Sequence, residues 1–182
     1  MSKQDFDDFI NQATKNQNNE SIIDWNTIRD EWLKRLTEFY ALIESFLAEY
    51  KKDGKLDYQF SKKDIFEEYI GNYSVDVMDI KLGEHRVRLE PIGTNLIGAH
   101  GRVDLIGVNG KVKIGLVNKD FNGPKITTTV TVEGMSKPIN QQPKEIKKTE
   151  LAWKIVTPPP RIKYIDLNQD VFLDALLEVI GG

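Results

Sequence analysis

The sequence predicts an α+β domain in which an antiparallel β-meander of about six to eight strands packs against a long N-terminal helix and a C-terminal helix. From Trp25 to Tyr50, apolar residues recur at steps of three and four, which is typical of one face of a helix. Residues 74–165 instead alternate between apolar and polar and are separated by turn signals, which is typical of strands. A shorter apolar stripe over residues 168–181 has capping residues at both ends and predicts the second helix.

Composition places the chain among globular proteins with one domain. Of its 182 residues, 40% are hydrophobic and 29% are charged, which favours a folded core over a disordered or fibrous chain. The absence of cysteine excludes disulfide scaffolds, thiolate zinc sites and cysteine nucleophiles, and it suits a reducing compartment. The sequence shows neither a signal-peptide pattern nor a run of ~20 apolar residues. We therefore expect a cytoplasmic protein without membrane contact.

The first twenty residues are predicted to form an amphipathic arm and a linker. Behind a candidate cap at Ser2, four apolar residues follow at helical spacing, namely Phe6, Phe9, Ile10 and Ala13. The polar stretch KNQNNE, residues 15–20, interrupts that pattern. We predict a single α+β domain over residues 21–182, with an exposed loop at 134–149 because that stretch holds two prolines and few apolar residues.

The long helix is predicted to begin at Trp25, behind a cap at Ser21 or Asp24, and to stop at Gly54. At ~1.5 Å per residue it would be about 40 Å long, so we expect the arm or a second copy of the chain to complete its coverage. Its apolar face is rich in aromatic residues, which either form the core or bind a partner protein. The candidate partner-binding residues on this face are Trp25, Trp32 and Phe39.

The segments after the long helix differ in how clearly they indicate strands. LDYQF alternates like a strand, whereas SKKDIFEEYIGNY, residues 61–73, fits either a short helix or an irregular strand, and we favour a short helix or turn. Further on, Gly83-Glu84 predicts a hairpin turn with glycine at the first turn position. Near the C-terminus, three consecutive prolines at 158–160 predict a rigid connector between the last two strands.

A second hairpin is predicted from Asn109-Gly110, the strongest short turn signal in the chain. A two-residue turn there pairs Val108 with Lys111, and the same register sets Asp104 opposite Gly115. The alternation of side chains then gives one apolar face toward the core and one polar face.

Part of this hairpin resembles the restriction-endonuclease-like nucleases, whose motif is an Asp, a variable gap and Glu-x-Lys. Asp104 matches the Asp and Lys119 the Lys, but Val117 stands at the Glu position and cannot bind a metal. Such enzymes need two carboxylates on neighbouring strands to hold Mg²⁺. The resemblance covers roughly twenty residues and implies a degenerate nuclease-like core, from which we expect no cleavage.

Histidines and carboxylates offer little for catalysis. His85 and His100 are the two histidines, and neither has a second histidine at ligand spacing. We therefore expect no catalytic residue, no metal and no cofactor. His100, Asp104 and Glu90 form a candidate polar cluster, with His100 as a general base or as a turn histidine satisfied by the backbone.

The middle of the chain is basic. Residues 81–163 hold 15 Lys and Arg against 7 Asp and Glu. The cations predicted on the face opposite the core are Arg86, Arg88, Arg102, Lys111 and Lys113. Such a row can neutralise phosphates, and the alternative is that acidic helices or solvent compensate its charge.

These observations lead to two expected functions, with an enzyme centred on His100 as a third alternative. The first is a small interaction module without catalytic activity, which engages another protein or a second copy of the chain through the long helix or the arm. The second is an anion- or nucleic-acid-binding domain that uses the basic sheet face and holds nucleic acid weakly.

Overall fold

The computed structural model describes residues 24–94, 99–122 and 150–181. Two helices flank seven strands, which form one antiparallel sheet in the order of the sequence. The helices are α1 (Trp25–Lys52) and α2 (Gln169–Ile180), and the strands are β1 (Asp57–Glu67), β2 (Gly71–Leu82), β3 (His85–Gly93), β4 (Gly101–Gly107), β5 (Gly110–Asn118), β6 (Leu151–Val156) and β7 (Tyr164–Asp166). The predicted α+β meander between two helices is confirmed. The predicted arm at 1–20 and the loop at 134–149 lie outside the described residues.

Helix α1 begins and ends close to the predicted positions. Asp24 is the N-cap, and its carboxylate accepts hydrogen bonds from the backbone N–H groups of Asn26 and Thr27. The helix ends at Lys52, two residues before Gly54, which has a φ of +69°. Its 28 residues make it about 42 Å long. Within the described part of the chain, no helix combines the length and the apolar character that a membrane crossing requires.

The core lies between the two helices and one face of the sheet, here called the inner face. Helix α1 buries a stripe made of Trp32, Leu36, Phe39, Tyr40, Ile43 and Leu47. Helix α2, capped by Asn168 and followed by Gly181, buries Phe172, Ala175, Leu176 and Val179. These residues share a core cluster with inner-face residues such as Leu89, Leu105 and Ile114. The predicted apolar stripes of both helices are therefore core faces.

One favoured interpretation is wrong for most of its segment. Residues 61–67 do not form a short helix but continue β1, as the strand alternative predicts, and residues 68–70 form the turn that leads into β2. The two strands pair without interruption from Asp57–Lys81 to Glu67–Gly71. This long antiparallel ladder supplies partners for the backbone groups of β1 that point toward β2, which outweighs the local preference of the segment for a helix.

The register of the second hairpin also differs from the predicted one. The turn comprises Val108 and Asn109, so that Gly107 pairs with Gly110 and Asp104 faces Lys113. A contact with α2 explains the earlier turn, since the Asn109 N–H donates a hydrogen bond of 2.9 Å to the Val179 carbonyl. The shift moves the pairing by two residues and therefore leaves every side chain on its predicted face.

Candidate functional site

A pocket of about 270 Å³ opens at one end of the domain. Its walls come from the first three turns of α1, the β1–β2 turn, the end of β3 and the start of β4. Apolar side chains from three of these regions and from β5, including Ile28, Ile70 and Leu116, line it together with charged groups. The charges are mixed, because Arg35 shares the pocket with Glu31 and Glu67, and His100 adds a polar side chain.

Two aromatic side chains form the rim of the pocket. The rings of Trp25 and Tyr69 stack with their centroids 4.9 Å apart and an angle of 16° between the planes. Trp25 is 36% exposed and Tyr69 is 59% exposed. Phe66, three residues before Tyr69, is 70% exposed. This end of the molecule thus presents large apolar side chains to solvent, which is unusual for a surface without a partner.

A buried carboxylate fixes the position of the β1–β2 turn against β3. Glu67 accepts a hydrogen bond from the Tyr73 hydroxyl, and it accepts two from Thr94, at 3.0 Å from the backbone N–H and 2.9 Å from the hydroxyl. Burial, and secondarily the hydrogen bond to Glu67, raises the pKa of Tyr73, so its hydroxyl stays protonated and acts as the donor. At Gly93, with a φ of +135°, an added Cβ would lie 3.0 Å from the Glu67 carboxyl carbon.

Trp32 forms the inner wall of the pocket. Its ring lies directly over Gly101, where an added Cβ would come within 2.2 Å of the ring. The ring centroid lies 6.0 Å from that of Trp153 on β6. The rim therefore stands above a packed wall, because the Trp32 ring fills the space next to Gly101 and Trp153.

The structure separates the three aromatic residues proposed to bind a partner. Trp32 is 2% exposed, and Phe39 is fully buried with its ring centroid 4.5 Å from that of Trp153. Their burial matches the alternative interpretation of the helix face as core. Trp25 alone of the three lies on the surface, at the pocket rim. Its stacking partner Tyr69 was not predicted, because Tyr69 lies in the β1–β2 turn and meets Trp25 only in the folded chain.

The candidate polar cluster is also divided. Glu90 on β3 and Asp104 on β4 are direct cross-strand neighbours. His100 is exposed at the pocket, and its backbone N–H donates a 2.7 Å hydrogen bond to the Leu116 carbonyl. Asp104 lies four positions further along an extended chain, a distance of about 13 Å. Across residues 24–94, 99–122 and 150–181, no three metal-ligating side chains come together in a way that could hold an ion.

The five predicted cations lie on the outer face of the sheet, which is the face opposite the helices, but acidic residues lie between them. Asp104 is 1% exposed, and its carboxylate is 2.9 Å from Arg102 Nε, an ion pair that is not aligned as a hydrogen bond. Lys111 Nζ lies 3.3 Å from the same carboxylate. Arg88 pairs with Asp79 at 2.7 Å. The remaining two, Arg86 and Lys113, form no ion pair with any described residue.

Comparison with known proteins gives no match for this chain. No family model, no curated protein and no solved structure is similar to it. The candidate function therefore rests on the geometry of the pocket and of the outer face.

Proposed function

We propose that the protein is a small cytoplasmic interaction module without catalytic activity, which binds another protein at the pocket beneath Trp25 and Tyr69. The observation that carries the proposal is the stacked, exposed aromatic pair at the mouth of a pocket with a packed wall. Protein interfaces draw most of their affinity from a few aromatic anchors, which insert into or surround such pockets.

The size of the pocket supports a protein partner. Small-molecule sites usually measure about 300–1,000 Å³. A pocket of about 270 Å³ lies just below that range and suits one large side chain of a partner better than a whole ligand. The mixed charges around it provide polar contacts at the edge of an interface, where they add specificity more than affinity.

The rigidity of the site also supports binding. Trp25 stands on the first turn of a capped helix, and Tyr69 stands on a turn that Glu67 holds against Thr94. Ordering of interface side chains costs about 0.5–1.5 kcal/mol for each flexible group. A rim that is already stacked before the partner arrives avoids much of this cost.

A peptide selection tests the proposal. Linear peptides are selected from a random displayed library on the full chain, and the affinities of the selected peptides are measured for three variants. Trp25→Ala and Tyr69→Ala are expected to weaken binding at least tenfold, which is the ~1.4 kcal/mol of a moderate anchor residue. Leu177→Ala is the matched control, because Leu177 is an exposed apolar residue on α2, remote from the pocket. Equal affinities for the rim variants and the control would refute the proposal.

The second candidate function is weak anion or nucleic-acid binding on the outer face. It is favoured by Arg86 and Lys113, since these cations have no acidic partner among the described residues. It is weakened because the three neighbouring cations are already paired, Arg88 with Asp79 and both Arg102 and Lys111 with Asp104. Binding of this kind would be independent of nucleic-acid sequence and would fall steeply with salt.

A further inference from the structure

We propose that the N-terminal arm of the same chain occupies the pocket beneath Trp25 and Tyr69 when no partner is bound, so that a partner has to displace it. This inference rests on the proposed function, and it adds a regulation of the same site. The arm is the amphipathic stretch whose apolar residues are Phe6, Phe9, Ile10 and Ala13.

The pattern of the arm calls for an apolar surface. Its four apolar residues have helical spacing and would share one side of a helix, and an isolated helix of this length would be barely stable in water. Packing of that side against another surface would stabilise it. The pocket offers such a surface, because Ile28, Ile70 and Leu116 line it and two exposed aromatic rings form its rim. One phenylalanine matches the size that we assign to the occupant.

The connection to α1 places the arm beside the pocket. The described chain begins at Asp24, one residue before the tryptophan of the rim. Ten residues separate Ala13 from Asp24, and they can span at most about 35 Å. If they behave as a flexible linker, their average span is about 18 Å. The arm therefore reaches the pocket without strain.

Tethering favours the arm over other occupants. A segment on a short linker has an effective concentration in the millimolar range at a neighbouring site. A second copy of the chain at micromolar concentration would need about a thousandfold higher affinity to compete. Charge does not decide the matter, since Arg35 and the carboxylates of Glu31 and Glu67 give the pocket charges of both signs. Apolar contact and proximity are what select the arm.

The experiment compares two full-length proteins, the wild type and the double variant Phe6→Ser/Phe9→Ser. A labelled peptide with the sequence of residues 1–19 is titrated into each. The double variant is expected to bind the peptide saturably, whereas the wild type binds it at least tenfold more weakly because its own arm competes. Tyr69→Ala, added to the double variant, is expected to abolish the binding. The matched control is Gln4→Ala/Gln12→Ala, which changes polar arm residues and should behave as the wild type.

Several outcomes would overturn the inference. Equal affinity of the peptide for the wild type and the double variant would show that the arm does not occupy the site. Failure of the peptide to bind either protein at millimolar concentration would show the same. A wild-type dimer that Tyr69→Ala converts to monomer in sedimentation would assign the surface to a second copy instead.

The outcomes also separate this inference from the proposed function. If selected partner peptides depend on Tyr69 but the arm peptide does not bind, the interaction module stands and the regulation falls. If both hold, the double variant should bind the selected peptides at least tenfold more tightly than the wild type, because no arm has to be displaced. Unchanged affinity for those peptides would contradict displacement.

Discussion

Strand β4 begins and ends with a glycine that lies against a helix, and the two glycines differ in which part of the helix they contact. At Gly107 an added Cβ would come within 2.3 Å of the backbone carbonyl oxygen of Val179 in α2. At Gly101 it would come within 2.2 Å of the Trp32 side chain in α1. A glycine thus allows close packing at both ends of β4. At Gly107 the contact is between two backbones, and at Gly101 it is between a backbone and an aromatic ring.

The difference teaches where this domain can accept a ligand. At the Gly107 end, the hydrogen bond from Asn109 to Val179 completes a contact between main chains and holds the turn against α2. At the Gly101 end, side chains provide the contact, and the space between Trp32 and the β1–β2 turn remains open as the pocket. The side-chain contact at the Gly101 end leaves a cavity, and a few residues determine its shape. At the Gly107 end the two main chains are in direct contact.

The largest effect is expected for Gly107→Ala. Neither the Val179 carbonyl nor β4 can move without breaking backbone hydrogen bonds, so the substitution should lower the free energy of unfolding by about 3 kcal/mol. In a protein of this size that corresponds to a fall in Tm of roughly 6–12 °C. Gly115→Ala is the matched control on the neighbouring strand, because its Cβ would meet ordinary contacts at 3.5 Å and 3.7 Å. If thermal unfolding shows the same fall in Tm for both variants, the close contact between Gly107 and Val179 is not what limits the size of the residue at position 107.

A smaller loss of stability and a larger loss of binding are expected for Gly101→Ala. The Trp32 ring can give way where a backbone carbonyl cannot, so we expect a cost of about 2 kcal/mol. The displaced ring would narrow the pocket and weaken the binding of selected peptides at least tenfold. Thermal unfolding and peptide titration measure the two effects. A variant that loses stability but binds normally would show that Trp32 does not shape the site.

The stability of the domain should depend on pH in the alkaline range, because Tyr73 beside the pocket is held protonated. Burial raises the pKa of Tyr73 above its usual value of 10, as it also raises that of Tyr40, whose hydroxyl donates to the Asp76 carbonyl. Because the unfolded chain loses these protons first, stability should be constant up to about pH 10 and then fall, by up to 1.4 kcal/mol per pH unit for each tyrosine.

The test is denaturant unfolding between pH 8 and pH 11. Tyr73→Phe should make the decline above pH 10 shallower, whereas Tyr69→Phe, at the exposed rim, should leave the decline as it is. If Tyr73→Phe and the wild type decline with the same slope, the Tyr73 hydroxyl is not held protonated by the fold.

The smallest effect is expected on the outer face of the sheet. Arg86→Ala should reduce the salt dependence of any nucleic-acid binding by about one unit of slope, and it should weaken all sequences alike. Arg88→Ala is the control, because Arg88 is already paired with Asp79. A labelled single-stranded oligonucleotide in low salt serves as the probe. No binding to the wild type at low salt would remove this candidate function.

Local signals in the sequence were enough for the helices and one hairpin. The cap at Asp24, the apolar face of α2 and the turn at Gly83-Glu84 all depend on residues close together in the chain. Each of these patterns has one physical interpretation, which is why the fold class could be predicted. The burial of Trp32 followed from the same periodicity, under the interpretation of the stripe as core.

The pocket could not be predicted, because its parts meet only in the folded chain. Tyr69 stacks on Trp25 across 44 positions of sequence, and residues 61–67 before it form a strand rather than the favoured short helix or turn because they pair with β2. The turn at Asn109 was displaced by a contact with α2, about 70 positions away. In both places a tertiary contact outweighed a local preference, and periodicity contains no information about such contacts.

The strand order has a consequence for how the domain reaches its native state. Each strand pairs with its neighbour in the sequence, so most of the sheet can form through contacts that are local in the chain. Local contacts of this kind favour rapid folding. The exception is β5 with β6, whose pairing brings Asn118 to Leu151. We expect closure of that connection, together with the contact of Phe46 on α1 with Phe172 on α2, to come after hairpin formation and to limit the folding rate.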